Sequence, residues 1–246
     1  MAYQEVAIRT QDGECPVHAF TPAGAGSWPA VIFYMDGLGI RPALLAMAAR
    51  LADGGYVVLL PDLYYRAGRY DPLDPKALFA SGNIREALAH LMGTTDNRRA
   101  AQDTAALLDH IDRRTDVAGA KVGTTGYCMG GAISLTVAAA YPDRVAAAAS
   151  FHGGSLATDS DDSPHLRAPA IKARVYVAGA DHDASYPPEM AQRLEAALSD
   201  AGVEHHCEIY EGALHGWTMT DFPVYDEAAA ERHWRALFEL FDEELH

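Results

Sequence analysis

Lysine is scarce in this 246-residue chain, which carries only Lys76, Lys121 and Lys172. With 34 acidic against 19 basic side chains, the formal net charge is −15. Binding to a phosphate backbone needs a basic face, so nucleic acid is not an expected partner, and neither is an anionic membrane surface. Cysteine is sparse too. Cys15, Cys128 and Cys207 are an odd number, too few for a disulfide framework, and fit a reducing compartment. Long apolar runs are missing, since the longest, around Val145–Phe151, is far short of the ~20 residues of a membrane span. The stretch Met1-Ala2-Tyr3-Gln4-Glu5 has no basic segment leading into an apolar one, so no secretory leader is expected. The expected location is cytoplasmic.

What is present is an ordinary globular composition, 49% hydrophobic and 22% charged, which excludes global disorder. The length suits one α/β domain spanning residues 1–246. Short apolar runs alternate with longer helical patterns, the mark of a mostly parallel sheet covered by helices on both faces. Eight strands are expected: Glu5–Arg9, Pro16–Thr21, Ala30–Met35, Tyr56–Leu60, Lys121–Gly126, Val145–Phe151, Arg174–Ala178 and Glu204–Tyr210. The first two read as an antiparallel edge pair around Asp12-Gly13, the others as buried parallel strands. Helical periodicity places Thr104, Leu107, Leu108 and Ile111 on one face of Asn97–Arg114. It does the same for Met190, Leu194, Leu198 and Ala201. Near the end, Ala230, Trp234, Leu237, Phe238, Phe241 and Leu245 form an apolar stripe.

The sharpest motif is Gly126-Tyr127-Cys128-Met129-Gly130-Gly131, directly after a strand and opening an Ala-rich helix. It is the nucleophile-elbow pattern with cysteine at its centre. So tight a strand-to-helix turn strains its central residue, and glycines two positions either side relieve the crowding. The side chain projects above the strand end, where the helix N-terminus favours a thiolate and a developing oxyanion. In this pattern the acid and then the histidine follow the nucleophile. Gly179-Ala180-Asp181-His182-Asp183 and Gly212-Ala213-Leu214-His215-Gly216-Trp217 each lie just past a strand. The reading is Cys128 as nucleophile, His215 as base and then acid, and Asp181 as the orienter, with Asp183 the alternative.

Together these motifs resemble the dienelactone hydrolase family, over most of the chain. The resemblance implies an α/β-hydrolase fold, a Cys-Asp-His triad, no cofactor, and hydrolysis of small esters or lactones through an acyl-thioester. It places the oxyanion hole at the backbone N–H of Met129 with that of Gly37 or Leu38, in Met35-Asp36-Gly37-Leu38-Gly39. Two positions depart from the family pattern. Asp36 stands where the family has a glutamate touching the resting thiol. Met219, four residues after His215, stands where an arginine binds the substrate carboxylate. The alternatives to ester hydrolysis are thioester hydrolysis or acyl transfer at the same site, or a non-catalytic binding protein of the same fold.

Two irregular segments, Leu63–Pro75 and Leu156–Pro169, are candidate caps over the site. The first offers Tyr64, Tyr65 and Arg66 to a substrate, or Arg69 in place of Arg66; His152 and Trp217 are further pocket candidates. Glu204-His205-His206-Cys207-Glu208 has ligand-type residues, but successive strand residues face opposite ways, so no metal site is expected. The partner expected is a small ester or lactone, and the assembly a monomer or a homodimer.

Overall fold

A computed structural model describes residues 1–246, the side chain of Arg85 excepted. Eight strands form one sheet in the order β1-β2-β4-β3-β5-β6-β7-β8. They are β1 (Ala2–Arg9), β2 (Glu14–Thr21), β3 (Trp28–Tyr34), β4 (Val57–Pro61), β5 (Val117–Tyr127), β6 (Val145–Phe151), β7 (Arg174–Ala180) and β8 (His205–Tyr210). β2 runs antiparallel to both β1 and β4, with Arg9 opposite Glu14 at the turn, and every later pairing is parallel. The expected strands are all there. β5 and β7 run longer than the apolar runs alone suggest, because backbone pairing continues past them.

Seven helices connect the strands: α1 (Pro42–Asp53), α2 (Pro75–Ser81), α3 (Ile84–Met92), α4 (Asn97–Asp112), α5 (Met129–Ala140), α6 (Pro188–Asp200) and α7 (Glu227–Leu245). None of the described helices is long and apolar enough to cross a membrane. The face Thr104, Leu107, Leu108 and Ile111 of α4 is buried, as its periodicity requires. The central strands carry small residues where helices come close. In β6 the run Ala146–Ala149 is buried throughout, and at Gly123 of β5 a Cβ would stand 2.7 Å from the Phe241 ring of α7. Glycine there lets α7 seat directly on the sheet. Parallel pairing brings the C-terminal ends of β3, β5, β6, β7 and β8 to one edge, and the segments that follow them build the site.

Candidate active site

Cys128 sits between β5 and α5 at φ 54, ψ −116, a left-handed backbone that costs a non-glycine residue about 1–3 kcal/mol. The neighbouring glycines show why the turn needs them. A Cβ on Gly126 would lie 1.9 Å from the Gly130 carbonyl oxygen, and one on Gly130 would lie 2.3 Å from that of Tyr34. No side chain fits at either position. The Cys128 amide donates to Phe151 O at 3.1 Å, which pins the elbow to β6. The thiol therefore stands at the N-terminus of α5.

His215 reaches this thiol from the segment after β8. Its Nδ1 lies 2.6 Å from Asp183 Oδ2, and Cys128 lies close enough to the ring to favour its charge. Burial works against a charge on the imidazole, but the Asp183 and Cys128 contacts outweigh it and push His215 up to about 10. Asp183 is itself fixed, because its Oδ1 accepts from Ser185 N at 2.8 Å and Ser185 Oγ at 2.7 Å. Burial opposes its ionisation, yet these donors and His215 hold its carboxyl below the usual carboxylate range.

Asp181, the expected orienter, points elsewhere. Its Oδ2 accepts from Gly212 N at 2.9 Å, so it ties the segment after β7 to the turn that leads to His215. Between the two aspartates, His182 takes φ 51 and turns the chain, which leaves Asp183 facing the imidazole.

The loop expected to supply the oxyanion hole, called the oxyanion loop below, follows β3. The Leu38 N–H is committed to Asp36 Oδ1 at 2.9 Å, a local turn that removes it from the set of free donors. Among the described hydrogen bonds, neither the Met129 nor the Gly37 N–H has a partner. Asp36 does not touch the thiol. Its carboxylate is held by Arg41 through two bonds, Nη1–Oδ1 at 2.7 Å and Nη2–Oδ2 at 2.8 Å, with both side chains almost fully buried. Arg41 Nε continues to Asp221 Oδ2 at 2.7 Å and so joins the oxyanion loop to the segment after His215. Breaking such a buried pair strands a charge and typically costs about 3–5 kcal/mol.

A cleft of about 690 Å³ opens over Cys128 and His215. One wall is Met92 and Asn97, from the ends of α3 and α4; the other is Asp183, Ala184, Ser185 and Met190. Met129, Ala132, Gly154 and Ser155 complete the floor. Neither Leu63–Pro75 nor Leu156–Pro169 supplies a lining residue. Met190 packs against the core, as its place on the apolar face of α6 requires, and being half-buried it also lines the cleft.

The remaining pocket candidates sit behind the site or away from it. Tyr64 is buried and its hydroxyl donates to Gly37 O at 2.8 Å, so it braces the oxyanion loop. Tyr65 bonds Thr10 and Asp103, and Arg66 forks onto Asp103 at 2.9 and 2.7 Å and onto Asp12 at 2.8 Å. Both side chains are thereby bound to α4 and the β1–β2 turn. Trp217 and Met219 are fully buried, and Trp217 stacks on Tyr210. His152, also buried, packs edge-on against His215 at 5.1 Å between ring centroids and bonds Thr218 Oγ1 at 2.8 Å. Burial, with His215 beside it, holds it well below the usual histidine range, so it is neutral.

The chain is 28% identical over 236 residues to a carboxymethylenebutenolidase of Pseudomonas putida, covering 94% of this chain and 92% of that one. Among solved structures it is similar to a dienelactone hydrolase-like promiscuous phosphotriesterase from metagenomic libraries, with TM-score 0.76, 24% identity and full coverage of both chains, 100% each. A dienelactone hydrolase from Anabaena variabilis superposes with TM-score 0.65 at 20% identity, again covering 100% of both. These two likenesses show the fold, that of the α/β hydrolases. Residues 16–245 match the dienelactone hydrolase family model, and with that match over nearly its whole length the chain belongs to this family of hydrolases.

Proposed function

We propose that this protein hydrolyses small neutral esters or lactones through Cys128, His215 and Asp183. The observation that carries the reading is one imidazole held between a strained elbow thiol and a buried carboxylate. The Cys128 thiolate attacks the substrate carbonyl carbon, and the tetrahedral oxyanion takes hydrogen bonds from the Met129 and Gly37 N–H groups. One such donor is typically worth ~10²–10³ in rate. As the C–O bond breaks, the leaving oxygen receives the proton of the His215 imidazolium. The neutral imidazole then takes a proton from water, and the resulting hydroxide cleaves the thioester. That releases the acid and restores the thiolate–imidazolium pair. Asp183 holds the ring so that Nε2 faces the sulfur. p-Nitrophenyl acetate tests the reading: turnover well beyond one equivalent supports it, and a burst that stops at one equivalent overturns it.

The pH dependence follows from His215. Its protonated form is favoured up to about 10, so the pair that donates a proton to the leaving group persists through neutral pH. kcat/KM should therefore fall as pH rises through about 10. A pH–rate profile with its alkaline limb near the ordinary histidine value of ~6.5 would contradict this.

Substrate charge is set by what the cleft lacks. Among the described residues no lysine or arginine lines it, Arg66 is bound to Asp103 and Asp12, and Met219 is in the core. None of the described lining residues offers a carboxylate a guanidinium's charge-assisted fork, and the net charge of −15 repels anions at low salt. For matched esters with and without a carboxylate, kcat/KM should favour the neutral member on the order of tenfold. A preference for the anionic member at both low and moderate salt would reverse the conclusion.

A further inference from the structure

Of the large apolar side chains left exposed among the described residues, Met92 alone lines the active-site cleft. It ends α3 and is 40% exposed, so it is not there to fill the core. It lies against the loop after β3. A Cβ placed on Gly37 would stand 3.7 Å from Leu88 Cδ1 and 3.8 Å from Met92 Sδ, so this face of α3 lies on the loop beside the thiol. Across the cleft, Met190 presents a second thioether from the first turn of α6, and Met129 and Ala132 form an apolar floor between them. Methionine is unbranched and adaptable, and it suits contact with a flexible chain better than with one rigid shape.

We propose that Met92 and Met190 form a subsite for an unbranched aliphatic chain of the substrate. The proposal rests on the hydrolase reading above and adds to it the class of group the cleft selects. An aliphatic chain leaving water between these walls gains roughly three- to fivefold in kcat/KM for each buried methylene. Either half of an ester can carry such a chain, and the two halves can be varied separately.

The experiment measures kcat/KM for p-nitrophenyl esters from acetyl to octanoyl, and for acetate esters of straight-chain alcohols of the same lengths. The wild-type protein should gain three- to fivefold per methylene in one of the two series, which identifies the half that enters. Met92→Ser and Met190→Ser should flatten that gain, with losses that grow with chain length to tenfold or more. Leu166→Ser, at an exposed apolar residue that does not line the cleft, controls for a general effect and should keep the wild-type gain. Gains per methylene that are the same in the two methionine variants as in the wild type overturn the subsite. If the wild-type protein turns over no ester, the hydrolase reading fails by itself. The subsite is then decided by the rate at which N-alkylmaleimides of increasing length modify Cys128, which needs only the thiol. A chain-length gain that Met92→Ser abolishes upholds it, and no gain, or one that the variant keeps, overturns it.

Discussion

Replacing Cys128 with alanine should abolish ester turnover, by at least ~10⁴-fold, while Cys15→Ala and Cys207→Ala leave it nearly unchanged. The three thiols differ in environment. Cys15 is fully buried in β2, its sulfur donates to Asp62 O at 3.5 Å, and burial together with Asp103 and Asp62 pushes its thiol far up. Cys207 lies in β8, where burial and Glu195 push it up to about 12. Neither forms a thiolate near neutral pH. Cys128 alone stands at a helix N-terminus with an imidazole on its sulfur and a cleft above it. Steady-state turnover of each variant, alongside thiol titration of the folded protein, separates the three. Cys128→Ser should keep a trace of activity, since its hydroxyl occupies the same place but needs more help from the base. Undiminished hydrolysis by Cys128→Ala would falsify the mechanism.

Asp183→Asn should cost on the order of 10³–10⁴ in kcat, and Asp181→Asn less than about tenfold. An amide at 183 keeps the shape of the carboxylate but can turn its NH2 towards Nδ1. It neither fixes the tautomer nor stabilises the imidazolium. Asp181 holds a backbone amide and touches no ring nitrogen of His215, so its loss loosens a turn without disarming the base. Combining Asp183→Asn with His215→Ala should add little to the single histidine variant, because members of a triad fail together. Thermal melting of each variant should confirm that the fold survives. Equal losses at 181 and 183 would show that both carboxylates serve the histidine.

These two aspartates also mark where the sequence stops being readable. Strands such as Val145–Phe151 are legible because a buried parallel strand must be apolar on both faces. The elbow is legible because only glycine survives at 126 and 130. Which of two carboxylates in one short turn faces the imidazole depends on the left-handed backbone of His182, and a histidine at that position announces no such turn. Asp36 is similar. Its diversion from the thiol requires Arg41, five residues on, to be buried against it, and no spacing rule supplies that. Met92 is not legible because α3 is short and mostly exposed, and an amphipathic period does not tell that its last residue overhangs a cleft. Trp217 and Met219 are pocket candidates by their nearness to His215, but the segment that carries them folds inward and buries both.

α2 buries no side chain fully, and among the described side chains of α3 only Leu88 and Leu91 are buried. Phe79, edge-on to Phe222 at 5.0 Å, is the aromatic contact that holds α2 down. Lifting this helical pair off the sheet therefore forfeits little apolar contact, far less than separating β5 from β6. Local opening of so lightly seated a unit costs little, and in a hydrogen-exchange measurement its amides should exchange long before those of the central strands. Because Met92 rides on α3, the same opening takes away one wall of the cleft while Cys128, His215 and Asp183 stay on the sheet.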